Sequence, residues 1–263
     1  MSNVDVYKKV LTVVSFLVMT TVNILANLLV INGMTTGEIS DKYPSLITPT
    51  SYTFLIWMVI YVLLFVYVVF QLEFRRNVRV LSPKVFDYIR MFFILSCLCN
   101  TAWIFAWHYR YIALSLVLII SILVCLSIIN KYIYSEELSL SENLFLKLPF
   151  SIYFGWITVA TLINSSVLLI SINWTGFGIP AWLLTIAGIL IILIIASFYT
   201  LKNRSITYAA TVIWAYIGII VKHTSKSGFH SQYPEIVFAI MICILFLMIE
   251  MGYVIINKKK YGI

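Results

Sequence analysis

Residues 148–173 read LPFSIYFGWITVATLINSSVLLISIN, an apolar stretch long enough to cross a lipid bilayer as a helix. One face of that helix carries four residues at steps of three, four and four: Tyr153, Trp156, Ala160 and Asn164. An asparagine side chain that faces hydrocarbon loses its hydrogen bonds, at a cost of roughly a few kcal/mol. We therefore expect this face to lie against other helices or a cavity.

The composition of the whole chain is that of a polytopic membrane protein. Of its 263 residues, 62% are hydrophobic and 11% are charged, and the mean hydropathy is +1.01. Soluble proteins carry about 25% charged residues. Eight apolar spans can be placed, at 10–31, 52–72, 86–107, 111–130, 149–172, 180–199, 206–221 and 235–256. The sequence thus predicts an all-α integral membrane protein with eight transmembrane helices.

The net charge of +8 follows the membrane topology, and its distribution argues against nucleic-acid binding. An even number of spans leaves both termini on one side of the membrane. With that side as the cytoplasm, the basic residues inside are Lys8, Lys9, Arg75, Arg76, Arg79, Lys84, Lys131, Lys147, Lys202, Arg204, Lys258, Lys259 and Lys260, and those outside are Lys42, Arg110, Lys222 and Lys226. This excess is the positive-inside bias. We expect a multi-pass cell-membrane protein with cytoplasmic termini, whose basic residues contact anionic lipid headgroups.

Four of the first five spans place amides or hydroxyls among broad aromatic rings on one helical face. The sets are Thr20, Asn23 and Asn27 in the first span, Trp57, Tyr61 and Gln71 in the second, Asn100, Trp103 and Trp107 in the third, and the fifth-span set above. These groups can simply bond neighbouring helices together, at roughly 0.6 kcal/mol per contact. They can instead line a cleft for a hydrophobic ligand, since Trp and Tyr rings offer large flat surfaces. Both interpretations remain open at this point.

Three different segments, in order along the chain, combine aromatic residues with proline or asparagine at defined spacings. They are 49–61 (P-x-x-Y-x-F-x-x-W-x-x-x-Y), 100–105 (N-T-A-W-x-F) and 148–164 (L-P-x-x-x-Y-x-x-W-x-x-x-A-x-x-x-N). Together they resemble the tryptophan-rich sensory protein (TspO) and peripheral benzodiazepine receptor family of five-helix membrane proteins. The resemblance covers roughly residues 8–173. It implies a five-helix core at 1–173 and a three-helix extension at 174–263.

The resemblance also implies a ligand pocket among the five helices, beneath the first loop. Family members bind porphyrins and other tetrapyrroles, sterols or aromatic drugs, and they often dimerise. Carried over residue by residue, the ligand-binding set is Tyr52 at the lid with Trp57, Tyr61, Asn100, Trp103, Tyr153, Trp156, Ala160 and Asn164. A porphyrin or haem-type ligand is implied, and no cofactor is required. The chain departs from the family at Tyr52, where a tryptophan is usual.

Arg90 and Glu250 are charged residues placed deep within predicted spans. Counted from the cytoplasmic ends, they lie about five and about seven residues deep, a difference of a few ångströms at about 1.5 Å per residue. They can pair and so tie the extension to the core. Alternatively, Arg90 extends to the interface while Glu250 is neutral, or Glu250 couples to an ion.

No catalytic or metal site is expected from the sequence. It lacks a Gly-rich phosphate loop, a nucleophile elbow and paired carboxylates within the spans. His108, His223 and His230 are dispersed near outer loops without the spacing of metal ligands, and we expect them to be solvated or interfacial. The connection at 131–148, which carries Glu142, is likewise expected to be solvated.

The function that these patterns favour is binding of a small hydrophobic aromatic ligand, in a sensory or regulatory role. A second interpretation is a small transporter or exporter of lipophilic or tetrapyrrole compounds that uses Glu250 and the added helices. A third is a membrane-embedded enzyme that degrades porphyrins in light. The sequence does not choose among them.

Overall fold

The computed structural model of the protein describes residues 3–72 and 81–261, and every regular element in these ranges is helical. The helices are α1 (Asn3–Leu28), α2 (Thr36–Asp41), α3 (Ile56–Gln71), α4 (Pro83–His108), α5 (Ile112–Tyr134), α6 (Leu140–Glu142), α7 (Leu148–Ser171), α8 (Ala181–Asn203), α9 (Ile206–Thr224) and α10 (Pro234–Tyr261). Short 3-10 helices lie at Ile31–Gly33, Ser51–Leu55 and Gly176–Gly178. A π-helical turn, Asn143–Lys147, joins α6 to α7.

Eight helical segments in the described ranges are long and apolar enough to cross a membrane, so the prediction of an all-α polytopic membrane protein is confirmed. They are Val6–Leu28, Ser51–Gln71, Pro83–His108, Ile112–Tyr134, Leu140–Ser171, Ala181–Asn203, Ile206–Thr224 and Pro234–Asn257. The fifth begins at Leu140 rather than at residue 149, because the π-helical turn carries the helix through. Some of the basic residues assigned to the cytoplasmic side lie outside the described residues: Arg75, Arg76 and Arg79, together with the side chains of Lys258, Lys259 and Lys260.

The chain forms two compact units. The first comprises Met1–Ile39 and Ile56–Ile157, and the second comprises Ser40–Leu55 and Thr158–Ile263. Helix α7 therefore contributes its first half to one unit and its second half to the other. The predicted division at residue 173 concerns correspondence with a five-helix family and stays a prediction.

Aromatic packing fills part of the first unit, where α4 packs against α1 and α5 and α1 packs against α3. The Tyr67 ring lies edge-on to Phe93 at 5.1 Å and to Phe150 at 4.8 Å between ring centroids. All three side chains are fully buried. Edge-to-face pairs of this kind contribute about 0.5–1.5 kcal/mol beyond the area that they bury.

In the second unit, α8, α9 and α10 pack against one another, and a glycine lets a loop segment approach α9. A Cβ added at Gly218 would lie 2.0 Å from the Thr53 hydroxyl oxygen. The backbone N–H of Thr50 donates to the Gly218 carbonyl at 3.1 Å, and the Trp214 indole donates to the Thr53 carbonyl at 3.0 Å. The 3-10 helix before α3 is thereby fixed against α9.

The connection between the fourth and fifth spans corrects a sequence-based expectation, because Glu142 is fully buried instead of solvated. Its carboxylate accepts hydrogen bonds from the Leu81 backbone N–H at 2.9 Å and from the Ser139 backbone N–H at 2.9 Å and hydroxyl at 2.8 Å. Ser139 caps α6 in return, in a reciprocal capping box. Three donors offset the loss of water around the charge.

Two of the three histidines, which were expected to be solvated or interfacial, are not solvated. His108 and His223 are buried, whereas His230 is exposed. In the first unit, His108 Nδ1 lies 3.0 Å from the Ile31 carbonyl oxygen and Nε2 lies 3.1 Å from the Thr36 hydroxyl. In the second unit, His223 Nε2 donates to the Leu46 carbonyl at 2.8 Å. Each imidazole forms a hydrogen bond to a backbone carbonyl of a loop, which apolar side chains could not provide.

Candidate ligand-binding site

An aromatic cluster in the first unit is centred on Trp57 and comprises Trp57, Tyr61, Tyr153 and Trp156. The Trp57 ring stacks on Tyr61 at 5.6 Å and lies edge-on to Tyr153 at 5.9 Å and to Trp156 at 6.2 Å. Tyr153 and Trp156 are completely buried, whereas Trp57 and Tyr61 are half-buried. The aromatic faces predicted for the second and fifth spans therefore meet.

The spacing of the sequence places both pairs of cluster residues correctly for this contact. Trp57 and Tyr61 are separated by one turn and a fraction on α3, and Tyr153 and Trp156 by about one turn on α7, so each pair shares a helical face. Offset-stacked and edge-on pairs such as these are the favoured arrangements of aromatic rings. The two buried rings pack against Trp57, which with Tyr61 remains only partly buried.

A chain of hydrogen bonds lies beside the cluster and joins three helices of the first unit. The Asn23 side-chain amide donates to Asn100 Oδ1 at 2.7 Å, and Asn100 Nδ2 donates to the Tyr153 hydroxyl at 3.3 Å. Asn23 also donates to the Met19 carbonyl within α1 at 2.8 Å. One polar residue from each of the first, third and fifth spans therefore meets at Asn100, away from lipid, whereas Asn27 of the first-span set is exposed.

Trp103 belongs to a second aromatic pair of the first unit, nearer the end of α4. Its ring stacks on Trp107 at 5.6 Å, and both side chains are buried. The Trp107 indole donates to the Thr36 carbonyl at 3.1 Å, and the Asn32 side chain donates to the His108 carbonyl at 2.9 Å. The loop that follows α1 is therefore held against the end of α4.

The other three residues of the predicted site lie in the second unit. Tyr52 is 39% exposed, and its ring meets Trp214 edge-on at 5.9 Å. Asn164 is buried on α7, and Ala160 is half-buried one turn before it. Their part in binding a ligand stays a prediction, as does that of the first-unit residues.

A cavity of about 490 Å³ lies in the second unit, where the sequence predicted no site. Its apolar lining comes from the loop before α3, the second half of α7 and the first half of α8, and includes Leu46, Ile47, Leu162, Leu169, Leu184 and Ile191. The volume falls within the range of about 300–1,000 Å³ that small-molecule sites occupy. A face of small residues on α8 could have indicated this cavity from the sequence. Ala181, Thr185 and Gly188, at steps of four and three, all line it.

The hydroxyls that line this cavity make their hydrogen bonds within the unit. Ser45 and Ser166 share a bond of 2.6 Å between their hydroxyl oxygens. Ser165 and Thr185 each donate to a carbonyl of their own helix at 2.8 Å. The lining contains no charged side chain. The cavity is therefore suited to an uncharged, lipophilic molecule.

Arg90 has partners inside the first unit. Its Nε donates to Gln71 Oε1 at 3.1 Å, its Nη2 to the Gln71 carbonyl at 3.2 Å, and its Nη1 to Asp87 Oδ1 at 3.1 Å. Glu250 lies in the second unit and is 6% exposed. The predicted pairing of Arg90 with Glu250 stays a prediction.

These features define a polytopic helical membrane protein with a buried amide chain and a tryptophan-centred aromatic cluster. The model of a protein family described as TSPO-like protein matches residues 9–253, so the chain belongs to the TSPO-like family. The match extends through the last three spans, beyond the range in which the sequence motifs were found. Comparison with curated proteins and with solved structures found no significant match.

Proposed function

We propose that this TSPO-like membrane protein binds a hydrophobic aromatic ligand at the aromatic cluster of its first unit. The observation that carries the proposal is the position of Trp57, which contacts three other rings and keeps part of its own surface open. A flat ligand gains the most binding free energy from stacking on an aromatic ring whose orientation is fixed. The buried edge-on contacts from Tyr153 and Trp156 hold Trp57 in that way.

The ligand class is proposed from the combination of rings and amides. A porphyrin or another tetrapyrrole has a broad aromatic face and a few polar atoms, which suit stacked rings beside the Asn100 amide. Asn100, Tyr61 and Trp103 complete the first-unit set, and Tyr52, Ala160 and Asn164 are carried over from the family pattern. The protein then senses or regulates through the ligand, in a cell membrane and with cytoplasmic termini.

Native mass spectrometry of the full chain, released from a mild detergent, tests the ligand class. The expected result is a bound mass that tandem analysis assigns to an aromatic macrocycle, with less of it on Trp57→Leu than on the wild-type protein. Trp174→Leu, which alters a tryptophan of the second unit, is the matched control and should retain the mass. Phospholipid alone on all three proteins would contradict the proposal.

The cavity of the second unit supports a second candidate function, transport of an uncharged lipophilic compound. Its lining combines apolar side chains with hydroxyls that are already hydrogen-bonded within the protein. A ligand that passes through would therefore form few strong hydrogen bonds to hold it back. Ala187→Phe would fill part of the cavity from α8. Flux of a lipophilic fluorophore from proteoliposomes should fall in that variant if the cavity is the route, and should be unchanged in Trp57→Leu.

A further inference from the structure

The inner part of the second unit contains a buried carboxyl that the proposed ligand site does not use. Glu250 lies on the face of α10 that carries Ile240, Cys243 and Leu247, and this face is buried. The residue is 6% exposed, and its Oε2 atom makes no hydrogen bond among the described residues. Ionisable residues within membrane-spanning helices are costly to bury and commonly mark proton or ion pathways.

Two hydroxyls on α8 are also buried without a hydrogen-bond partner in the described part of the chain. Ser197 lies on α8, the helix that packs against α10, and its Oγ is buried without a well-formed hydrogen bond in the described part of the chain. Thr200, one turn further along α8, is completely buried, and its Oγ1 also has no partner there. Leaving one buried polar atom unbonded costs about 1–3 kcal/mol. Glu250 Oε2, Ser197 Oγ and Thr200 Oγ1 are three such atoms on two helices that pack together.

Glu142, a buried carboxylate with a structural role, provides a comparison for the hydrogen bonding of Glu250. That residue receives three hydrogen bonds, from the Leu81 N–H and from the N–H and hydroxyl of Ser139. Hydrogen bonds donated to a carboxylate stabilise its charged form. Glu250 has no backbone N–H donor and no ion pair within the described residues of the second unit. A neutral carboxyl, with a proton on one oxygen, would need fewer hydrogen-bond donors at such a site than a carboxylate would.

The titratable groups around Glu250 do not change this conclusion. On α8, Lys202 is exposed and its ammonium group lies over an aromatic ring of its own helix. Tyr199 of α8 stacks on Tyr208 of α9 at 5.3 Å between ring centroids. On α10 itself, Cys243 lies two turns away on the same face. Lys202 and Arg204, at the end of α8, are both exposed, so neither is buried beside the carboxyl.

From this geometry we propose that Glu250, Ser197 and Thr200 form a proton-binding site in the second unit. Uptake forms one O–H bond on a carboxylate oxygen and removes one negative charge, and release returns the proton to water. Serine and threonine hydroxyls both donate and accept hydrogen bonds, so they can relay a proton along α8. Thr200 lies three residues before the end of that helix at Asn203, which gives the relay a short path to the membrane surface.

Infrared difference spectroscopy of the full chain in lipid nanodiscs tests this site directly. The expected spectrum contains the C=O stretch of a protonated carboxyl at neutral pH, and the band disappears when the pH is raised. The band should be absent from Glu250→Gln and present in Glu235→Gln, which alters an exposed carboxylate of the same helix. Identical spectra for the wild-type protein and Glu250→Gln would overturn the proposal.

A second pair of variants keeps the carboxyl and tests the relay. Ser197→Ala and Thr200→Ala should each slow proton exchange after a pH jump by about tenfold or more, since a positioned group speeds proton transfer at least that much. Unchanged exchange in both variants would remove the hydroxyls from the site. Finally, if Arg90→Gln restored the stability lost in Glu250→Gln, the carboxyl would be an ionised partner of Arg90, which also contradicts a proton site.

Discussion

The side-chain amide of Asn23 donates a hydrogen bond of 2.7 Å to the amide oxygen of Asn100, and it thereby joins α1 to α4 inside the first unit. Asn100 continues the chain to α7 through its bond to the Tyr153 hydroxyl. All three side chains are buried. A polar group in the centre of a helical membrane protein is satisfied by other helices, and this chain of bonds shows how three spans achieve it.

Replacing Asn100 with leucine should destabilise the protein by about 1–3 kcal/mol, because the Asn23 amide and the Tyr153 hydroxyl each lose a partner. Equilibrium unfolding in mixed detergent micelles measures the loss. Asn27→Leu is the control, since its exposed amide bonds only the Asn23 carbonyl within α1. Equal losses in the two variants would mean that the bonds between helices contribute nothing.

Substitution of Gly218 by alanine should destabilise the second unit by about 1–3 kcal/mol, the usual cost of overpacking. The new Cβ would collide with Thr53, and the 3-10 helix would have to move away from α9. Gly252→Ala is the matched control, because α10 leaves open space at that position. It should be neutral or stabilise by up to about 1 kcal/mol. Thermal unfolding of both variants checks the difference, and similar melting temperatures would refute the close approach.

The eight spans could be predicted from sequence because apolar length alone decides whether a segment can cross a bilayer. Helical periodicity also placed Asn23, Asn100 and Tyr153 on inward faces, although Asn27, assigned to the same face as Asn23, is exposed. Spacing does not select partners, however. That Trp57 contacts Trp156 while Trp103 stacks on Trp107 depends on how α3, α4 and α7 pack, and the sequence carries no local signal for that choice.

The segments that connect the helices were predicted least well, because their residues follow no helical periodicity in sequence. Glu142 was expected in solvent, yet the N–H of Leu81, 61 residues away in sequence, donates to it. The loop residues Ser45 and Leu46 line a cavity and bond side chains of distant helices. Contacts of this kind depend on the folded arrangement of each unit and leave no pattern in a single sequence.

Removal of the His108 imidazole should loosen the loop at Ile31–Gly33 without unfolding the first unit. The ring bonds the Ile31 carbonyl and the Thr36 hydroxyl, whereas the helices of the unit are held by other contacts. Hydrogen–deuterium exchange of His108→Ala should rise in residues 31–36 and remain constant in α4. His230→Ala, at an exposed histidine, should leave that segment unchanged, and protection of the segment in both variants would contradict the role of His108.

Arg90→Lys should destabilise the first unit by about 1–3 kcal/mol although the charge is kept, because an ammonium group cannot reproduce the fork of a guanidinium. Three guanidinium nitrogens bond Gln71 and Asp87 at 3.1–3.2 Å. Lys8→Gln removes a half-exposed ion pair with the same aspartate and should cost less than about 1 kcal/mol. Chemical unfolding of the two variants separates the contributions, and an Arg90→Lys protein as stable as the wild type would exclude the network.

Titration of the purified protein with a porphyrin, followed through the porphyrin's own absorbance, tests the ligand site most directly. We expect saturable binding that Trp57→Leu weakens by about twofold to tenfold, in keeping with about 0.5–1.5 kcal/mol for an aromatic contact. Trp174→Leu, in the cavity of the second unit, should bind as the wild type does. Non-saturable uptake, or weakening by Trp174→Leu and not by Trp57→Leu, would contradict a site at the aromatic cluster.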